Sequence, residues 1–138
     1  FEAITNTSNK IIDTDKKITV LIVEDNRVNM LLLKTILKNL FVKTIVHEVV
    51  NGKEAVDNFE LIKPDIIFMD IQMPVMNGYE ATKIIRNLKS GQNVPIIAIT
   101  AGTEKEEKDK CLTAGMNDYI PKPIIKGVIE EVILKWVY

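Results

Sequence analysis

Residues 66–78 read Ile-Ile-Phe-Met-Asp-Ile-Gln-Met-Pro-Val-Met-Asn-Gly, so four apolar residues run straight into the acid Asp70 and then into Pro74 and the turn pair Asn77-Gly78. A short apolar run bounded by turn residues is the pattern of a strand covered on both faces. An acid at the end of such a run needs solvent or a cation to carry its charge. The arrangement recurs along the chain. Glu24-Asp25 follow the apolar run that ends at Val23, Thr100 closes the run Ile96-Ile97-Ala98-Ile99, and Lys122 stands just beyond Ile120. The spacing predicts strands over 19–23, 44–49, 66–69, 96–99 and 118–120. Amphipathic stretches between them predict helices over 27–40, 53–61, 79–88 and 104–114, with a last helix over 124–137. Asn51-Gly52, Pro64, Gly91, Pro95 and Gly115 fall at the expected boundaries.

Strands that alternate with helices build an α/β domain, a parallel sheet with helices on both faces. The carboxyl ends of its strands share one edge, and a crevice opens where the winding direction reverses. The doubly wound order 2-1-3-4-5, one of the two common arrangements, gives a flavodoxin-like fold of five strands and five helices. It sets the first and third strands side by side at that crevice. Asp25 and Asp70 then face each other, with Glu24 beside them. Three carboxylates gathered in one crevice raise one another's proton affinity or demand a cation. Mg²⁺ fits, because it takes oxygen ligands and keeps waters that leave room for a phosphoryl oxygen; Mn²⁺ is the expected substitute. One His and one Cys in the whole sequence give no zinc cluster. Lys122 adds a mobile positive charge suited to a phosphoryl group, and Thr100 adds a hydroxyl donor at the same edge.

Composition narrows the class. Eighteen Lys plus Arg against nineteen Asp plus Glu leave a net charge of -1, which argues against direct nucleic-acid binding. No apolar run approaches the roughly 20 residues of a membrane-spanning helix. A lone cysteine, Cys111, fits a reducing compartment, so the expected location is cytoplasmic. Residues 1–16 are polar and aperiodic and read as a linker. The start at Phe1, with no signal-peptide pattern after it, leads us to expect a piece of a longer protein.

Taken together, Val23-Glu24-Asp25-Asn26, the stretch from Met69 to Gly78, Thr100-Ala101 and Asp118-Tyr119-Ile120-Pro121-Lys122-Pro123 resemble the receiver domain of two-component response regulators. The resemblance is strongest to receivers attached to hybrid sensor histidine kinases, and it assigns 17–138 to the receiver. It implies that Asp70 accepts a phosphoryl group from a phosphohistidine, on a kinase dimerisation domain or a histidine phosphotransfer protein. Asp25, Asp70 and the backbone carbonyl of Gln72 are implied to hold Mg²⁺, with Glu24 assisting directly or through water. Lys122 is implied to pair with the phosphoryl oxygens, Thr100 to move onto the new phosphate, and Tyr119 to rotate into the space vacated. These few groups suffice for the domain to catalyse its own phosphorylation, since phosphoryl transfer is mostly positioning and charge neutralisation. The fourth helix, fifth strand and fifth helix would form the output face, and a cis bond is expected before Pro123.

Plainer readings stand beside these. Glu24 and Asp25 also suit the cap of the first helix. Thr100 also suits a local backbone hydrogen bond, Tyr119 a static ring and Lys122 a solvated surface lysine. His47 is not read as a phosphodonor, because no nucleotide motif accompanies it. In the first helix Val28, Leu32, Leu33, Ile36, Leu37 and Leu40 fit the core face, which leaves Met30 outward among Arg27, Lys34 and Lys38. That patch, with Pro123, is expected to dock the histidine-bearing helices. The charged run 104–110 leaves the fourth helix anchored by Cys111, Leu112 and Ala114. Rival readings are a stand-alone single-domain regulator, a partner-binding pseudo-receiver, a nucleotide or flavin binder, and an aspartyl-phosphate phosphatase. Gln72 argues against the last, which commonly wants a second acid at that position.

Overall fold

The computed structural model describes residues 15–102 and 104–138. Its elements are β1 (Ile18–Val23), α1 (Arg27–Leu40), β2 (Thr44–Val49), α2 (Gly52–Ile62), β3 (Ile66–Asp70), α3 (Gly78–Asn87), β4 (Ile96–Thr100), α4 (Lys105–Ala114), β5 (Asp118–Pro121) and α5 (Lys126–Trp136), with a single 3₁₀ turn at Lys89–Gly91. The strands pair in parallel in the order β2-β1-β3-β4-β5, the flavodoxin-like arrangement expected from the sequence. The linker expected over 1–16 lies outside the described residues except for Asp15 and Lys16.

Alternation along the strands divides the core in two. Ile18, Val20 and Ile22 of β1 join Ile66, Phe68, Ile97 and Ile99 against α1 and α5. Leu21 and Val23 join Ile67, Met69, Ile96 and Ala98 against Ala55 and Phe59 of α2, Ala81 and Ile85 of α3, and Cys111 of α4. β3 and β4 are buried at every residue, as strands covered on both faces must be.

Helix ends follow from local chemistry. Asn26, Asn51 and Asn77 each accept a backbone N–H from three residues on and so cap α1, α2 and α3. Asn77 and Glu80 close a reciprocal capping box, the kind of cap whose removal costs about 1 kcal/mol. Gly115 ends α4 at φ 104°, a backbone region open to glycine and strained for other residues.

The phase of α1 differs from the sequence reading. Met30, Leu33, Ile36 and Leu37 face the core, with Leu40 packed against it, whereas Val28, Leu31 and Leu32 are exposed. Met30 is therefore a core residue rather than part of an outward patch, and Val28 and Leu32 leave the predicted core face. Apolar side chains at 28 and 30–33 supply two competing stripes, and the contacts with β1 and α5 select the one that contains Met30. Likewise Leu112 is exposed, so α4 is anchored by Cys111 and Ala114.

Candidate functional site

β1 and β3 are neighbours, with Val23 level with Met69, so the residues that follow them emerge together at the carboxyl edge. Glu24, Asp25 and Asp70 each offer a carboxylate oxygen, and these oxygens lie within 4.8 Å of one another. Glu24 and Asp70 are buried and Asp25 is exposed. The cap of α1 is Asn26, which accepts from Asn29, so the two acids before it are not spent on capping. Glu24 Oε2 instead accepts the Asn26 backbone N–H at 3.2 Å.

Opposite the acids, the Lys122 backbone N–H donates to Thr100 O at 2.8 Å and continues the β4–β5 ladder. Its ammonium reaches Asp70 Oδ1 at 3.4 Å and Glu24 Oε1 at 3.6 Å, and the bond from Lys122 to Pro123 is cis. Burial, with the neighbouring Asp70 carboxyl adding to it, pushes Glu24 up to about 7, against the opposing pull of the Asn26 N–H and Lys122.

The loop after Asp70 is held from below by two glycines. Gly78 N–H donates to Ile71 O at 2.9 Å, and Gly52 N–H donates to Met76 O at 3.0 Å. A Cβ on Gly52 would meet that same Met76 oxygen at 2.6 Å, and one on Gly78 would collide with the Asp70 carbonyl. Val75 takes the left-handed region at φ 71° while its side chain stays in solvent.

A cleft of about 340 Å³ opens onto Asp70, Gln72, Thr100 and Lys122. Thr100 is buried; its hydroxyl accepts from the Gly102 N–H at 3.1 Å and lies 3.0 Å from Gly102 O and 3.4 Å from Glu107 Oε1. The local backbone bond weighed for Thr100 is thus present in this arrangement. Tyr119 is half-buried with the Lys108 ammonium 4.9 Å above its ring. His47 lies on β2 level with Leu21, away from the cleft.

Arg27 and Pro123 are exposed, and Lys34 is paired with Glu48 at 3.3 Å. The sequence reading missed Glu104, Glu106, Glu107 and Lys110, which line the cleft. In sequence they belong to one charged run, and what sets Glu107 apart is its place beside Thr100 and Tyr79 in the fold.

The donor set for a cation is all oxygen. Among the described residues, Glu24 Oε1 is buried without a hydrogen-bond partner, an arrangement that suits a hard divalent ion. The edge can therefore present a carboxylate to an electrophile while the Lys122 ammonium faces the negative charge that gathers there.

A doubly wound sheet with this chemistry at its carboxyl edge defines a receiver of the two-component type. Residues 20–134 match the model of the response regulator receiver domain, and the chain belongs to that family. The chain is 39% identical over 120 residues to the sensor histidine kinase GacS of Pseudomonas protegens, a match covering 85% of this chain and 13% of GacS. It is 35% identical over 132 residues to the histidine-protein kinase BarA of Escherichia coli, covering 95% of this chain and 14% of BarA. Among solved structures, the receiver domain of the Pseudomonas aeruginosa sensor histidine kinase PA1611 carries a magnesium ion in its active-site cleft. It superposes with a TM-score of 0.80 at 37% identity, covering 88% of this chain and 98% of that one. No helix among the described residues is long and apolar enough to cross a membrane.

Proposed function

We propose that this chain is the phosphoacceptor of a phosphorelay, taking a phosphoryl group from a partner phosphohistidine onto Asp70, as a receiver segment of a hybrid sensor histidine kinase. The observation that carries the reading is the meeting of Asp70 with Glu24, Asp25 and Lys122 at one strand edge. An Asp70 oxygen attacks phosphorus. The O–P bond forms as the P–N bond breaks, and the electron pair returns to the donor imidazole.

Glu24, Asp25, Asp70 and the Gln72 carbonyl would hold Mg²⁺, which supplies neutralisation of the phosphoryl oxygens, and Mn²⁺ substitutes. Lys122 pairs with the transferred group and Thr100 gives it a hydrogen bond. Tyr119 follows Thr100 in the switch, which changes the surface of α4, β5 and α5. The added charge, about -1.5 to -2 at neutral pH, is large enough to bias such a rearrangement.

The partner is a histidine-bearing helical domain, either the dimerisation domain of a kinase or a histidine phosphotransfer protein. Support comes from the receiver of Saccharomyces cerevisiae Ssk1, solved in complex with the phosphotransfer protein Ypd1 and 36% identical to this chain at a TM-score of 0.80, covering 87% of this chain and 88% of that one. With Met30 in the core, the docking residues on α1 are Val28, Leu31 and Leu32 with Arg27 and Lys34, and Pro123 adds to them from the loop after β5. The test is transfer of labelled phosphate from a phosphorylated histidine phosphotransfer protein. Label should move to the native chain in the presence of Mg²⁺ and fail to move to Asp70→Asn. Equal labelling of both would overturn the reading.

A further inference from the structure

Glu107 Oε1 accepts a hydrogen bond from the Tyr79 hydroxyl at 2.9 Å and lies 3.4 Å from Thr100 Oγ1. One carboxylate on α4 thus bridges the first turn of α3 and the end of β4. It also stands between two openings. On one side is the cleft with Asp70, Thr100 and Lys122, and on the other a groove lined by Met73, Pro74, Tyr79 and Lys110. Burial, and then Glu107 itself, push the Tyr79 phenol up, so Tyr79 keeps its proton and remains a donor to Glu107. The next residue, Lys108, covers the ring of Tyr119. Adjacent residues of α4 therefore hold both side chains assigned to the switch.

The Thr100 hydroxyl has one proton to give. In this arrangement its two acceptors are Gly102 O and Glu107 Oε1. A phosphoryl group on Asp70 competes for that proton and places its charge in a cleft where the Glu107 carboxylate already stands. Whatever stabilises the unmodified arrangement opposes the modified one by the same factor.

We propose that Glu107, tethered by Tyr79, is a positioning residue that holds Thr100 in its unmodified place and thereby restrains phosphorylation of Asp70. The proposal rests on the reading of Asp70 as phosphoacceptor. Glu107→Gln replaces a charged acceptor by a weaker neutral one and so loosens the hold on Thr100, and Tyr79→Phe loosens Glu107 without changing charge.

The test measures the rate of Mg²⁺-dependent phosphorylation by acetyl phosphate in four proteins: native, Glu107→Gln, Thr100→Ala and the double variant. Tyr79→Phe serves as an independent second variant. Glu107→Gln should raise the rate about fivefold, the factor that goes with losing one modest hydrogen bond from the unmodified state. The gain should largely vanish when Thr100 is already absent, and Tyr79→Phe should raise the rate by a smaller factor.

A gain of equal size with and without Thr100 would mean simple repulsion of the anionic donor and would overturn the positioning role. So would unchanged or slower phosphorylation in both Glu107→Gln and Tyr79→Phe. A native chain that forms no adduct at Asp70 would remove the underlying reading instead, which keeps the two failures apart.

Discussion

The Lys122 ammonium lies 3.4 Å from Asp70 Oδ1 and also 3.6 Å from Glu24 Oε1, so one cation serves two buried carboxylates. Asp25 adds a third acid within 4.8 Å. Negative charge at the edge exceeds what Lys122 balances, and without a divalent ion the excess works against folding. Asp70→Asn is therefore expected to be more stable than the native chain, by about 1 kcal/mol at neutral pH in the presence of a chelator. Urea unfolding checks this, and a loss of stability would show that the Lys122 pairing outweighs the repulsion.

Glu24 carries a pH signature. Its folded-state value is raised from 4.5 to about 7, by burial first and by the Asp70 carboxyl second. The folded domain keeps this proton where the unfolded chain has released it. The contribution to stability is thus complete below pH 4.5 and is lost as pH rises through about 7. A divalent ion takes the place of the proton. Mg²⁺ should raise the melting temperature more at about pH 8 than at about pH 5.5. An equal or reversed increment would contradict the assignment of Glu24 to the ion site.

Val75 sits at φ 71° with 77% of its surface exposed. A β-branched residue in the left-handed region costs on the order of 1 kcal/mol or more, and asparagine tolerates that region. Val75→Asn loses little packing, so it should stabilise the domain by about 1 kcal/mol, which shifts the melting temperature by about 3 °C. A melting temperature at or below the native one would contradict the strain.

The neighbours Met30 and Leu31 lie on different faces of α1, Met30 in the core and Leu31 exposed on the face proposed for docking. Met30→Asp buries a charge and should cost roughly 3 kcal/mol of stability. Leu31→Asp should leave the melting temperature near native and slow transfer from a phosphohistidine protein about tenfold, referred to the rate with acetyl phosphate. Native transfer rates in Leu31→Asp would remove this face as the docking surface.

Much of this was legible because the polar residues that matter end wholly apolar runs. Glu24, Asp70 and Thr100 each follow such a run, Lys122 follows the short strand that ends at Pro121, and parallel pairing brings all of them to one edge whatever the loops do. The phase of α1 was not legible, because Val28 and Leu32 offer an apolar stripe as good as that of Met30 and Leu33. Only packing against β1 and α5 decides between them. Glu107 could not be told from Glu106 by sequence, since what singles it out is Tyr79, 28 residues away in the chain. The cap of α1 lay one residue beyond the two acids weighed for it, and Asn26 leaves them free for a cation.

If Asp70 accepts the phosphoryl group, the modification is visible in the mass of the intact protein. The native chain and Asp70→Asn are treated with acetyl phosphate, with and without Mg²⁺. One phosphoryl adduct is expected, found only on the native chain and only with Mg²⁺. No adduct on folded native protein, or an adduct that persists in Asp70→Asn, would contradict it.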